Sequence, residues 1–135
     1  MDASLFDSVE ENFMTQRTKA LGVNGEEIAA RYLEAAGYRI VERNYRIRAA
    51  EIDLIAERDG VIVFVEVKTR LSMKYGRPSE AVTLNKQRKI IMAASVFMQQ
   101  EEYAQRACRF DVIEIMIGSG DCRINQIENA FEVSG

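Results

Sequence analysis

The order of its segments predicts an α/β fold for this chain: a single domain with a central mixed β-sheet flanked by helices. Three observations carry that expectation. Helical and strand-like patterns follow one another as helix, three strands, helix, two strands. One of the strands, Val61-Ile62-Val63-Phe64-Val65, is apolar on both faces and calls for cover from both sides. The length of 135 residues fits one domain able to bury well over half of its unfolded surface.

Residues 1–21 carry Asp2, Asp7, Glu10 and Glu11 among scattered apolar positions with no firm period. They read as a flexible or loosely helical extension ahead of a domain over residues 22–135. Asn24 suits a helix N-cap, and Glu27 three residues on completes a capping-box pattern. Ile28, Ala29, Tyr32, Leu33 and Ala36 then recur at helical spacing before Gly37, so the first helix is expected over about Gly25 to Ala36. Tyr38 to Val41, Glu51 to Ala56 and Val61 to Lys68 read as strands, the last two joined by Arg58-Asp59-Gly60, a strong hairpin signal. Leu71 to Ser79 reads as a loop. A second helix is expected from about Asn85 to Gln100, with Ile90, Ala94, Phe97 and Met98 as its apolar face. Phe110 to Ile117 and Arg123 to Ile127 complete the sheet.

Composition excludes several classes. Cys108 and Cys122 make neither a disulfide framework nor a zinc site, no histidine exists to complete one, and both read as ordinary half-buried thiols. There is no basic N-terminal region followed by an apolar stretch, and no run approaches a membrane span, so the chain reads as cytoplasmic with no membrane partner. A net charge of −3 argues against binding polyanions with the whole surface. Yet eleven of the eighteen basic residues fall within Arg39 to Arg48, Lys68 to Arg77 and Lys86 to Lys89. That segregation permits a basic groove, although charge runs are commonly just solvated faces.

The chemistry-bearing residues stand on the hairpin. Glu66 and Lys68 lie two apart at the end of a strand that otherwise looks buried, so both side chains leave on one face. Asp53 sits among Ile52, Leu54 and Ile55, where a solvated carboxylate is not expected. A two-residue Asp59-Gly60 turn pairs Arg58 with Val61 and, counting back, sets Asp53 opposite Glu66 and Glu51 opposite Lys68. Opposite Cβ atoms lie about 4.5–5.5 Å apart, and two carboxylates at that distance in a half-buried site repel unless a cation lies between them. Magnesium fits, since it takes hard oxygen donors and needs only one or two carboxylates. A three-residue loop with a bulge would instead turn Asp53 to the other face. Glu51 reads as a third ligand, a partner for Lys68, or the first solvated residue of its strand. Glu26 shares a helix side with Ala30 and Leu33, and reads either as a site residue or as an acid stabilised by the helix dipole.

Several stretches carry a family resemblance: Gly25-Glu26, Tyr38 to Tyr45 ending Glu42-Arg43-Asn44-Tyr45, Glu51-Ile52-Asp53-Leu54-Ile55, Phe64-Val65-Glu66-Val67-Lys68-Thr69-Arg70, and Arg109-Phe110-Asp111. In this order and spacing, over roughly two thirds of the chain, the sequence resembles the YraN family of bacterial proteins, predicted endonucleases with the restriction-endonuclease-like fold. That family in turn resembles the PD-(D/E)xK nucleases, archaeal Holliday-junction resolvases among them. The resemblance implies Asp53 as the first acid, Glu66 and Lys68 as the acid-x-lysine pair, and Glu26 as the helix glutamate of the resolvase-like branch. Ala50 departs from the glycine usual in the family before Glu51.

The expected function is therefore metal-dependent hydrolysis of phosphodiester bonds, structure-specific in the manner of junction resolvases, by Asp53, Glu66, Lys68 and Glu26. Asp53 and Glu66 would hold Mg2+ or Mn2+. The alternative is a non-catalytic nucleic-acid-binding or scaffold module that retains the fold. The expected partner is nucleic acid, DNA first, contacted by Arg46, Arg48, Arg70, Lys74, Arg77, Lys86 and Lys89. The sequence does not show the assembly; cleaving a junction at two symmetric sites would need a homodimer, and two-fold dimers are the commonest assembly.

Overall fold

The computed structural model describes residues 24–71, 82–118 and 120–133. Helix α1 (Gly25–Ala35) starts where expected: the Asn24 side chain accepts the Glu27 backbone N–H at 3.1 Å, and Ala29, Ala30 and Leu33 face inward. Glu27 does not return a capping-box bond. Its carboxylate pairs with Arg31 and Arg43, charged donors that outcompete a backbone N–H. Five strands and a second helix follow: β1 (Arg39–Ile47), β2 (Ala50–Arg58), β3 (Val61–Leu71), α2 (Leu84–Phe97), β4 (Cys108–Ile117) and β5 (Cys122–Phe131). The strands lie side by side in chain order, all antiparallel except β3 and β4, which run parallel and are separated in sequence by α2. The result is the expected mixed sheet.

The alternation along β3 decides the layers. Val63 and Val65 join Leu54, Ala56, Ile113 and Ile115 under Ala29, Ala30 and Leu33 of α1. Ile62 and Phe64 join Ile55, Phe110 and Val112 under Ile90, Ala93, Ala94 and Phe97 of α2. Each helix thus covers one face of a strand that has no polar side to offer. Phe97 anchors α2, meeting Phe64 and Tyr45 edge-on and stacking on Tyr103 at 4.8 Å between centroids.

Several boundaries differ from expectation. β1 continues past Val41 to Ile47, and β5 continues past Ile127 to Phe131. Both are edge strands with one face in water: Glu42, Arg43 and Arg46 carry no apolar alternation although their backbones pair, and Glu128 and Asn129 fall in an irregularity between the Val112↔Ile127 and Phe110↔Phe131 pairs. α2 stops at Phe97 rather than Gln100, with Thr83 as its N-cap. The two cysteines are exposed rather than half-buried, since each opens a strand where the chain emerges; with Cys122 opposite Ile117, they sit at opposite ends of β4. β3 continues past Lys68 to Leu71, so the loop expected over Leu71 to Ser79 loses its first residue to the strand; the rest of it, 72–79, and the expected extension over residues 1–21 lie outside the described residues. No helix among the described residues is long and apolar enough to cross a membrane.

Gly25 locks the start of α1 onto β3. A Cβ built there would lie 1.8 Å from Thr69 Oγ1 and 3.1 Å from Thr69 Cβ. Gly25→Ala should therefore destabilise the protein by roughly 1–3 kcal/mol in urea denaturation, the usual cost of overpacking. Adding Thr69→Ala, which removes the nearest atom, should recover part of the loss.

Candidate active site at the open end of the hairpin

Asp59 and Gly60 take φ +53° and +79°, the two left-handed positions of a tight two-residue turn. The register follows from it. Arg58 pairs with Val61, and the ladder runs on through Ile55↔Phe64 to Leu54↔Val65. There it stops, because the Asp53 carboxylate inserts between the strands: its Oδ2 accepts the backbone N–H of Val67 at 2.8 Å. β2 peels away toward β1, while β3 continues beside β4 as far as Leu71↔Ile117. The gap so opened holds Asp53 and Glu66 next to each other. Glu51 does not sit opposite Lys68 in this geometry, for the pairing that would place it there ends before reaching it.

Burial, then the negative charge of Glu66, push the Asp53 carboxyl up to about 8, against the Val67 N–H, which lowers it. Burial raises Glu66 as well, opposed by the positive charge of Lys86, a hydrogen bond with the Asp53 carboxyl and the charge of Lys68. Two neighbouring acids raised mainly by desolvation form a site where burial opposes ionisation. Lys86 of α2 reaches Glu66 Oε1 at 3.7 Å. Glu66 Oε2 is buried with no hydrogen-bond partner among the described residues. A buried carboxylate oxygen left in that state is costly unless another ligand takes it.

The other acids are held nearby but separately. With its amide nitrogen turned toward them, Asn44 donates to Glu51 Oε1 and Glu26 Oε2, each at 3.0 Å. Arg46 also pairs with Glu51 at 3.3 Å. The Glu26 charge still raises Asp53, but its carboxylate is engaged with Asn44. Among the described residues no group of three or more His, Cys, Asp or Glu side chains is placed to hold a metal ion. Asp53 and Glu66 therefore form a two-carboxylate site, and any cation there would complete its shell with water or ligand oxygen.

Beside the acids, Arg46, Arg48, Glu51, Lys86 and Lys89 line an open cleft of about 500 Å³. Four of the seven cations expected to contact nucleic acid thus come together. Arg70 lies elsewhere, on the β3 face shared by Glu66 and Lys68 and beside Met116 of β4. Lys74 and Arg77 fall outside the described residues.

The family model described as "Uncharacterised protein family UPF0102" matches residues 25–115. This chain belongs to the UPF0102 family. A UPF0102 protein of Symbiobacterium thermophilum is 49% identical over 115 residues, covering 84% of this chain and 98% of the relative. A UPF0102 protein of Chlorobium phaeobacteroides is 50% identical over 106 residues, covering 78% and 84%. One from Geobacter sulfurreducens is 47% identical over 121 residues, covering 89% and 94%. The stretch matched to UPF0102 runs from the first residue of α1 into β4, so it contains Glu26, Asn44, Asp53, Glu66, Lys68 and Lys86 together.

Three features of this UPF0102 site go beyond the expectation drawn from the sequence. Asn44 bridges two acids from a left-handed backbone position, φ +51°, which asparagine adopts more readily than most residues, but nothing in Glu42-Arg43-Asn44-Tyr45 signals the bridge. Lys86 is separated from Glu66 by twenty positions that give no hint of their meeting. Glu114 is 3% exposed and stands beside Lys68 on the adjoining strand, where Asn125 donates to it at 3.4 Å. Glu114 did have a signal: an acid inside Val112-Ile113-Glu114-Ile115 is as unexpected as Asp53 among its isoleucines.

Proposed function

We propose that this protein is a divalent-metal-dependent nuclease that hydrolyses phosphodiester bonds, with the restriction-endonuclease-like fold that its sequence resembles. The observation that carries the reading is the Asp53–Glu66 pair, two adjacent carboxylates raised by burial, one of whose oxygens has no hydrogen-bond partner among the described residues. Hard oxygen donors without histidine or a nearby thiol suit magnesium or manganese and not zinc. Such an ion, when bound, lowers the pKa of water and neutralises charge on a phosphoryl oxygen.

The chain's own residues supply the rest. The Val67 N–H fixes the Asp53 carboxylate, leaving its second oxygen for a ligand. Lys68 shares the face of Glu66, where it would orient the attacking water and offset charge gathering on the phosphate. Arg46, Arg48 and Lys89 would hold the flanking backbone, positioning the strand without reading bases. An acidic protein binding a polyanion needs its positive charge concentrated in this way.

The test is a panel of branched, single-stranded and duplex DNA and RNA, incubated with the protein in magnesium, in manganese and in chelator. Cleavage of at least one substrate with metal, and none in chelator, is the expected result. Binding without cleavage under every condition would overturn the nuclease reading in favour of a nucleic-acid-binding scaffold.

A further inference from the structure

Lys86 occupies an electrostatically poor position. It lies in the first turn of α2, where its backbone N–H bonds the Thr83 hydroxyl at 3.2 Å and the helix dipole presents its positive end. That turn contains no acid to offset it. The compensation comes from across the fold, in Glu66 Oε1 at 3.7 Å. The Lys86 side chain is 45% exposed and that of Glu66 only 12%, so the ammonium closes the solvent side of a buried acid. The same lysine lines the basic cleft with Arg46, Arg48 and Lys89. Among the described residues it is the cation shown both lining this cleft and paired with an acid of the Asp53–Glu66 site.

We infer that Lys86 is the resident counter-ion of Glu66, displaced from the acid by an incoming divalent cation and thereby released to bind a phosphate in the cleft. The inference rests on the metal-site reading of Asp53 and Glu66 and adds a coupling to it. While Lys86 holds Glu66 it competes with metal for the same carboxylate, and while paired it is lost to phosphate. Metal binding frees it at the edge of the cleft, so each ligand favours the other, as reciprocal linkage requires. A helix anchored by Phe97 gives the side chain a fixed pivot from which both partners are reachable.

The test is calorimetric titration of the full-length, metal-free protein with Mn2+, in the absence of nucleic acid, for the parent, Lys86→Met and Lys86→Arg. Removing a competing charge of this exposure should tighten Mn2+ binding about tenfold in Lys86→Met. Lys86→Arg, which keeps the charge, should bind as the parent does. A merely structural lysine would leave the affinity unchanged or weaken it when removed. In parallel, the gain in affinity for a short single-stranded oligonucleotide on adding Mn2+ should be smaller in Lys86→Met than in the parent. Parent protein that binds Mn2+, with Lys86→Met binding it no more tightly, overturns the counter-ion role alone. Parent protein that binds no Mn2+ overturns the metal site and the counter-ion role with it.

Discussion

Replacing Asp111 with alanine is expected to remove about 3–5 kcal/mol of stability, the usual cost of breaking a buried ion pair by deleting one partner. The Asp111 side chain is fully buried near the start of β4, where Arg109 donates to both of its oxygens at 3.0 and 3.1 Å. Gln126 donates to it at 2.9 Å and the Asn129 backbone N–H at 3.1 Å. The Tyr38 hydroxyl accepts from Arg109 and from Gln126, tying the segment after α1 into the same network. Alanine would leave the Arg109 guanidinium, itself 18% exposed, with only Tyr38 and the more exposed Glu128 at 3.8 Å, and would leave the Asn129 N–H without its acceptor. Asp111→Asn should cost less, since one acceptor oxygen survives, and Arg109→Met in the Asp111→Ala background should recover part of the loss. Urea midpoints that fall with an unchanged m-value would check this. A midpoint shift under about 1 kcal/mol in Asp111→Ala would show that the network contributes little net stability.

Asp53→Asn is expected to stabilise the metal-free protein, by on the order of 3 kcal/mol near neutral pH and more at higher pH. In the folded state the Asp53 carboxyl is raised from 3.8 to about 8, so folding takes up a proton that the unfolded chain has released. For a group shifted in this direction, the contribution to stability is full below 3.8 and lost as pH rises through about 8. Glu66 is raised too and works in the same direction. The metal-free parent should therefore melt at progressively lower temperature between those two values of pH, and millimolar Mg2+ or Mn2+ should reverse the decline. An asparagine side chain can accept from the Val67 N–H and donate toward Glu66 without ionising, so the substitution should flatten the pH dependence and abolish the response to metal. Melting curves of parent and variant across this pH range, in chelator and in metal, carry the comparison. A parent that responds to neither pH nor metal would remove the strained acid pair.

Much of the site was legible because it rests on local rules. A tight turn at Asp59-Gly60 fixes the register as far as Leu54↔Val65, which brings the next residues, Asp53 and Glu66, to the same end of the hairpin. The cover on both faces of β3 was likewise legible from Val61 to Val65. Where the ladder stops was not legible, because Asp53 replaces a backbone partner with its own side chain and no periodic pattern records that exchange. Glu51 consequently goes to Asn44 and Arg46 instead of Lys68. The edge strands were read short because a strand with one wet face and charged ends resembles a loop. Lys86 and Asn44 are seen only once α2 and β1 have docked, since their roles depend on contacts between elements. Arg109-Phe110-Asp111, conspicuous as a motif, is a structural clasp: its ionic pair is consumed by Tyr38, Gln126 and Asn129.

The central claim is that Asp53 and Lys68 act on a phosphodiester. Its most direct measurement is the single-turnover cleavage rate, in magnesium or manganese, of whichever nucleic acid the parent cuts, beside Asp53→Ala and Lys68→Ala, each confirmed folded by circular dichroism. Removing a group that stabilises developing charge costs about 10²–10³ in rate, so both variants should fall by at least that order while still binding the substrate. Cleavage at the parent rate by either variant would contradict the assignment of that residue, and by both would show that the acid pair is not the active site.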